Sequence, residues 1–224
     1  MKCIKNKVIV SCQAEGDSPF NNPKYLSLFA ISAELGGAGG IRAEGLTNIS
    51  EIKKNVSLPI IGLVKTNFKD GRVCISRNEL DIKLMVELGC DVIAIDGTFR
   101  MMNELTGPQF ISKIKKTFPN VNVMADISTF DEAIACFNVG ADAVATTLRG
   151  YTQETEIINN QHFDLGFFDE LKLLMPENFP IIAEGKINDV EIVKQLKFRN
   201  AWSVVIGTAI TRPIQITNNF VNAF

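Results

Sequence analysis

The chain has 224 residues, 46% hydrophobic and 21% charged, with 23 Lys plus Arg against 25 Asp plus Glu for a net charge of -2. That length suits one sizeable core, and no linker or low-complexity tract divides it, so residues 1–224 are read as one catalytic domain, although length alone leaves two smaller domains open. The balanced charge, without a basic block, argues against a nucleic-acid partner.

The basic start, Met1 to Lys7, leads into Val8-Ile9-Val10 and then Ser11-Cys12-Gln13, which predicts a first strand. This apolar run is too short for a signal-peptide core, and no other stretch approaches a membrane span, so a cytoplasmic protein without a membrane partner is expected. Helical turns then reach a glycine stop at Glu34-Leu35-Gly36-Gly37 before a second strand at Gly40-Ile41-Arg42. The third strand, residues 59–65, is apolar and stops on the amine of Lys65. A helix over 78–88 ends at Gly89 and gives way to a strand over 92–96, ending in Asp96. A fifth strand over 121–126 ends in Asp126, and a helix over 129–139 runs through Gly140 into a sixth strand at 143–147. The seventh, residues 180–184, ends in Glu184 and continues through Gly185 to Lys186, echoing the third. A helix over 188–196 and a weaker stop at 198–202 precede the last strand, 203–207.

Strands alternating with helices eight times predict an α/β chain closed as a single-domain (β/α)8 TIM barrel. A doubly wound open sheet is the alternative, but no Gly-x-Gly-x-x-Gly follows the first strand. In a parallel barrel the strand ends share one mouth, here Gln13, Arg42, Lys65, Asp96, Asp126, Thr147, Glu184 and Gly207. One polar residue at a strand end is ordinary surface, whereas a ring holding Lys, Glu, Arg and Asp points to a site. The amine of Lys65 and the carboxylate of Glu184 suit proton transfer. Gly185 and Gly207, where the last two strands end, suit a phosphate, and Arg212 adds a bidentate contact to phosphate or to a substrate oxygen.

Five cysteines without a Cys-x-x-Cys read as reduced thiols, with Cys12 assigned to packing. The single histidine, His162, lies in the polar segment Asn159-Asn160-Gln161-His162 and reads as a solvated loop residue, so no multi-histidine metal site is expected. A magnesium ion among Asp96, Asp126 and Glu184 is the remaining metal alternative, with Arg42 and Lys65 already supplying positive charge. No cofactor is expected.

Val10-Ser11-Cys12-Gln13-Ala14, Gly40-Ile41-Arg42-Ala43, Ile60-Ile61-Gly62-Leu63-Val64-Lys65, Met124-Ala125-Asp126-Ile127-Ser128-Thr129, Thr146-Thr147-Leu148 with Gly150-Tyr151-Thr152, Ile182-Ala183-Glu184-Gly185, and Gly207-Thr208-Ala209-Ile210-Thr211-Arg212-Pro213 closely resemble the bacterial N-acetylmannosamine-6-phosphate 2-epimerases. The resemblance covers nearly the whole chain in order. It implies conversion of N-acetylmannosamine 6-phosphate to N-acetylglucosamine 6-phosphate in sialic acid catabolism. It also implies that Lys65 and Glu184 transfer protons, that Gln13, Arg42, Asp126 and Arg212 contact the sugar, and that Gly185, Gly207 and Thr208 hold the phosphate. Where the family usually has Ser-Tyr-Thr this chain has Gln153-Glu154-Thr155, and where it usually has Arg-Asp this chain has Thr66-Asn67, differences that bear on lid contacts and sugar affinity. A homodimer is left open.

Inversion at C2 requires the pyranose to open, because only the free C1 aldehyde makes the C2 proton acidic. Lys65 must then be neutral part of the time, which the nearby charge of Arg42 is expected to favour. Competing readings are a sugar-phosphate isomerase, an aldolase using Lys65 as a Schiff-base nucleophile, and a non-catalytic phosphosugar sensor.

Overall fold

In the computed structural model, residues 1–14, 16–156 and 162–224 are described. The elements in chain order are β1 (Lys7–Cys12), α1 (Pro23–Leu35), β2 (Gly40–Glu44), α2 (Leu46–Asn55), β3 (Ile60–Leu63), β4 (Lys65–Asn67), β5 (Val73–Ile75), α3 (Glu79–Glu87) and β6 (Val92–Asp96). They continue with α4 (Gly107–Thr117), β7 (Val123–Asp126), α5 (Phe130–Asn138), β8 (Ala143–Ala145), α6 (Leu165–Leu174), β9 (Ile181–Glu184), α7 (Val190–Phe198), β10 (Ser203–Ile206), α8 (Thr208–Thr211) and α9 (Pro213–Ala223). All the strands except β4 and β5 pair in parallel and close on themselves, with β1 bonded to both β2 and β10. The expected (β/α)8 barrel is therefore the fold.

Local sequence explains where the helices start and stop. Asn78 and Asp189 accept from the backbone N–H groups of Leu80 and Ile192, which satisfies otherwise orphaned donors at the starts of α3 and α7. Thr129 and Glu132 form a reciprocal capping box on α5. After α5 the chain turns at Gly140 with φ +93°, and at the matching position after α7 it turns at Asn200 with φ +56°. Asparagine tolerates that left-handed conformation, which explains why the fourth stop carried no glycine.

Apolar side chains separate into two layers by the two-residue period of the strands. Ile9, Ile61, Ala94, Met124, Ile182 and Val205 fill the barrel interior. Val10, Ile60, Ile93, Val123, Ile181 and Val204 pack in the second layer with helix residues such as Leu26, Ile49 and Ile111. Cys12 lies in that second layer, fully buried, where burial pushes its thiol up to about 12. It is a packing residue, as expected.

One feature departs from the expected plan. The third barrel strand ends at Leu63, and Lys65 opens an antiparallel hairpin made by β4 and β5. Val64 is the turning point: its N–H donates to Ser76 Oγ at 3.0 Å and its carbonyl accepts from the Ser76 N–H at 2.8 Å, so the chain leaves the barrel there. The hairpin is tied down by Arg72, whose Nη2 lies 2.6 Å from Glu156 Oε2 in the segment after β8, and by Arg100, whose guanidinium stacks 4.2 Å from the Phe68 ring centroid. Among the described residues no helix is long and apolar enough to cross a membrane.

Candidate active site

Continuing each strand's inward parity to its carboxyl end aims Ser11, Arg42, Asp96, Asp126 and Glu184 at the barrel axis, since Ile9, Ala94, Met124 and Ile182 already face inward and Arg42 stands between outward Ile41 and Ala43. Above them opens a cavity of about 310 Å³, lined by Gln13, Arg42, Lys65, Thr147, Glu184, Gly185, Lys186, Gly207, Thr208 and Arg212 among others. Four of these are cationic side chains, Arg42, Lys65, Lys186 and Arg212, and one, Glu184, is a carboxyl, so the mouth favours an anionic ligand.

Arg42 organises the floor. Its Nη1 donates to Asp126 Oδ1 at 3.1 Å and to Glu184 Oε2 at 2.7 Å, and its Nη2 donates to Asp126 Oδ2 at 2.6 Å. Burial disfavours the guanidinium charge, but the two carboxylates outweigh that and hold its pKa above the ordinary value. The Thr147 hydroxyl bridges the carboxyls, 2.6 Å from Asp126 Oδ1 and 3.1 Å from Glu184 Oε2. Asp126 is 0% exposed, so removing its partner strands a buried charge. An Arg42→Met protein is expected to lose about 3–5 kcal/mol of stability in chemical unfolding. A loss below about 1 kcal/mol would show that Asp126 finds another partner.

Glu184 is the titratable group of the site. Burial raises its pKa to about 7, with Asp126 adding to the rise while Arg42, Thr147 and Lys65 oppose it. Near neutral pH it therefore exists in both forms. The Thr147 bridge accommodates both: the hydroxyl donates to Asp126 and accepts from Glu184 when the latter carries a proton. Thr146 fixes the backbone beneath, its Oγ1 donating to the Glu184 carbonyl at 2.8 Å and accepting from the Glu184 N–H at 3.0 Å.

The structure brings most of the expected residues together and places two elsewhere. Gln13 lines the cavity with its Nε2 donating to Ser11 Oγ at 2.8 Å. Gly185, with φ +100°, needs a glycine backbone and lies next to Glu184 in the lining. Gly207 precedes the short α8, whose Thr211 hydroxyl donates to the Ser11 carbonyl at 2.7 Å and ties that turn to β1. Asp126, expected to touch the sugar, does not line the cavity: it lies under Arg42 with its oxygens taken by that guanidinium and by Thr147. Asp96 is likewise buried, bonded to Arg100 Nη2 at 2.8 Å and to the Thr98 hydroxyl at 2.6 Å. Among the described residues no group of three or more His, Cys, Asp or Glu is placed to hold a metal ion. His162 is exposed as expected, and Asn159 to Gln161 lie outside the described residues.

Lys186, Tyr151, Val73 and Ile75 also line the cavity, though the sequence alone assigns none of them a role in the site. A signal existed for the last two: Asp70-Gly71, a turn dipeptide, separates Lys65–Asn67 from Val73–Ile75. Gly71 there has φ +84°.

The family model described as "Putative N-acetylmannosamine-6-phosphate epimerase" matches residues 26–224. The chain belongs to this family. A relative from Caldanaerobacter subterraneus subsp. tengcongensis, bearing the name "Putative N-acetylmannosamine-6-phosphate 2-epimerase", is 40% identical over 220 residues, covering 97% of this chain and 91% of its own. One with the same name from Clostridioides difficile is 40% identical over 98% of this chain and 96% of its own. The solved N-acetylmannosamine-6-phosphate 2-epimerase of Clostridium perfringens superposes with a TM-score of 0.90 at 36% identity, covering 99% of this chain and 95% of that one. A thiamine phosphate pyrophosphorylase from Pyrococcus furiosus, at TM-score 0.60 and 12% identity, shares the fold alone.

Proposed function

We propose that residues 1–224 act as one catalytic domain that epimerises N-acetylmannosamine 6-phosphate to N-acetylglucosamine 6-phosphate in sialic acid catabolism. Membership of the epimerase family supports the reaction. The observation that carries the mechanism is an amine, Lys65, sharing one cavity with a carboxyl, Glu184, that titrates near 7. Lys65 takes the C2 proton of the opened sugar and Glu184 serves as its acid/base partner and assists ring opening. Arg42, Lys65 and backbone donors meet the negative charge that develops on the C1 oxygen. Asp126 acts through Arg42, and Gln13 and Arg212 contact the sugar. Gly185, Gly207 and Thr208 hold the 6-phosphate, aided by the positive mouth.

The test is the NMR spectrum of N-acetylmannosamine 6-phosphate incubated with the protein in deuterated water. The expected product is N-acetylglucosamine 6-phosphate carrying deuterium at C2, formed equally well after exhaustive chelation. Loss of activity on chelation, restored by added metal, refutes the metal-free route, and binding without turnover favours a sensor. If the 6-phosphate anchors the sugar, N-acetylmannosamine loses turnover as well as affinity, because remote binding energy orients C2. Comparable kcat/KM on the two sugars rules the anchor out.

We further propose a homodimer. Helix α9 has no buried residue, and its Ile214, Phe220 and Val221 are exposed, Phe220 by 75%. Covering such a face with a second copy removes apolar surface from water. Light scattering should show a dimer for the parent chain and a monomer for Phe220→Glu; a monomeric parent chain disproves the assembly.

A further inference from the structure

The hairpin that carries Lys65 also presents an apolar wall. Lys65 stands opposite Ile75 in the β4–β5 register and Asn67 stands opposite Val73, so these four side chains share one face. Cys74 takes the other face, with its Sγ 3.6 Å from the Met102 sulfur. Lys65, Ile75 and Val73 line the cavity, joined there by Leu148 from the turn after β8. Val73, Ile75 and Leu148 all pack with the cluster that fills the barrel interior, so the wall is backed by the core and cannot easily yield.

Opposed residues on one face of an antiparallel pair have Cβ atoms about 4.5–5.5 Å apart. The Lys65 side chain leaves the hairpin on the same face as Ile75 and Val73 and lines the same cavity, so a sugar whose C2 meets its amine lies against that face, with the substituent on C2 free to turn toward Ile75 and Val73. In a 2-acylamino sugar that substituent is the acylamino group, whose alkyl end is three bonds from C2. We propose that Val73 and Ile75, with Leu148, form the surface that recognises the N-acyl group and limits the substrate class to short aliphatic acyl chains. The inference rests on the C2 chemistry proposed for Lys65. The wall grips the acyl group at the planar stage common to both epimers, so it serves the reaction in either direction. Val73, less buried than Ile75, sets the upper limit of chain length.

The test compares kcat/KM for N-acetyl- and N-propanoylmannosamine 6-phosphate in the parent chain and in Val73→Ala and Val73→Ile. The parent chain should prefer the acetyl compound by about tenfold or more, the usual scale for one methylene in a close-fitting apolar pocket. Val73→Ala should shrink that preference by about tenfold, and Val73→Ile should widen it. Equal efficiency of the parent chain on both compounds overturns the wall even if the variants fail to fold, and so does a preference that Val73→Ala leaves unmoved. Failure of the parent chain to turn over either compound instead overturns the proposed epimerisation, and this inference with it.

Discussion

A folded Lys65→Ala protein should lose epimerisation by about a thousandfold, the middle of the range that one positioned acid/base group supplies. Lys65 is half-buried at the start of the hairpin and fills no core position, so the melting temperature and circular dichroism spectrum should stay close to those of the parent chain. Deuterium incorporation at C2 of recovered substrate should fall in step with product formation. Near-normal turnover by the folded variant would remove Lys65 from the chemistry. A borohydride-trapped imine in the parent chain would shift the reading to a Schiff-base route, in which the same amine is a nucleophile.

Glu184→Gln keeps the shape of the side chain and removes its ionisation. We expect kcat to fall by about a hundredfold or more while KM changes far less, because the lost interaction belongs to proton transfer and not to ground-state binding. Glu184 titrates at about 7, so the parent chain should show an inflection of kcat/KM near that pH, and the residual activity of the variant should not. Stability carries a second signature. A carboxyl whose pKa is raised to about 7 from its ordinary 4.5 binds more protons folded than unfolded between those values, so stability falls as pH rises through that window. Replacing Glu184 by Gln should flatten the decline. Unchanged turnover, or an inflection that persists in the variant, excludes Glu184 as the acid/base group.

The barrel strands are legible in the sequence because each is a short apolar run, every second one preceded by a helix stop, and parallel strands covered on both faces have little other choice of composition. Even the stop without a glycine could be placed, since Asn200 accepts the same left-handed turn. The site ring was legible for the same reason: a strand end is where an apolar run yields to Gln13, Arg42, Thr147 or Glu184. The hairpin is not legible as such, because β4 and β5 are three residues each, too short to show a strand period, and the polar Lys65-Thr66-Asn67 reads as the end of the apolar run of β3.

What the sequence by itself determined is the order of elements, the closed barrel they imply, the family, and the residue types gathered at the mouth. The elements and the mouth residues follow from local periodicity and strand ends, and the family from the resemblance of whole motifs, none of which needs knowledge of neighbours. Only the tertiary structure decided which polar residues reach the cavity and which lie beneath it. Arg42, Asp126 and Glu184 are 84 and 142 residues apart as counted from Arg42, and their hydrogen bonds determine that Asp126 is a buried support while Glu184 titrates near neutrality. Burial, which raises a carboxyl's pKa, and the field of neighbouring charges, which raises or lowers it according to their sign, are properties of the packed arrangement and are written in no single strand.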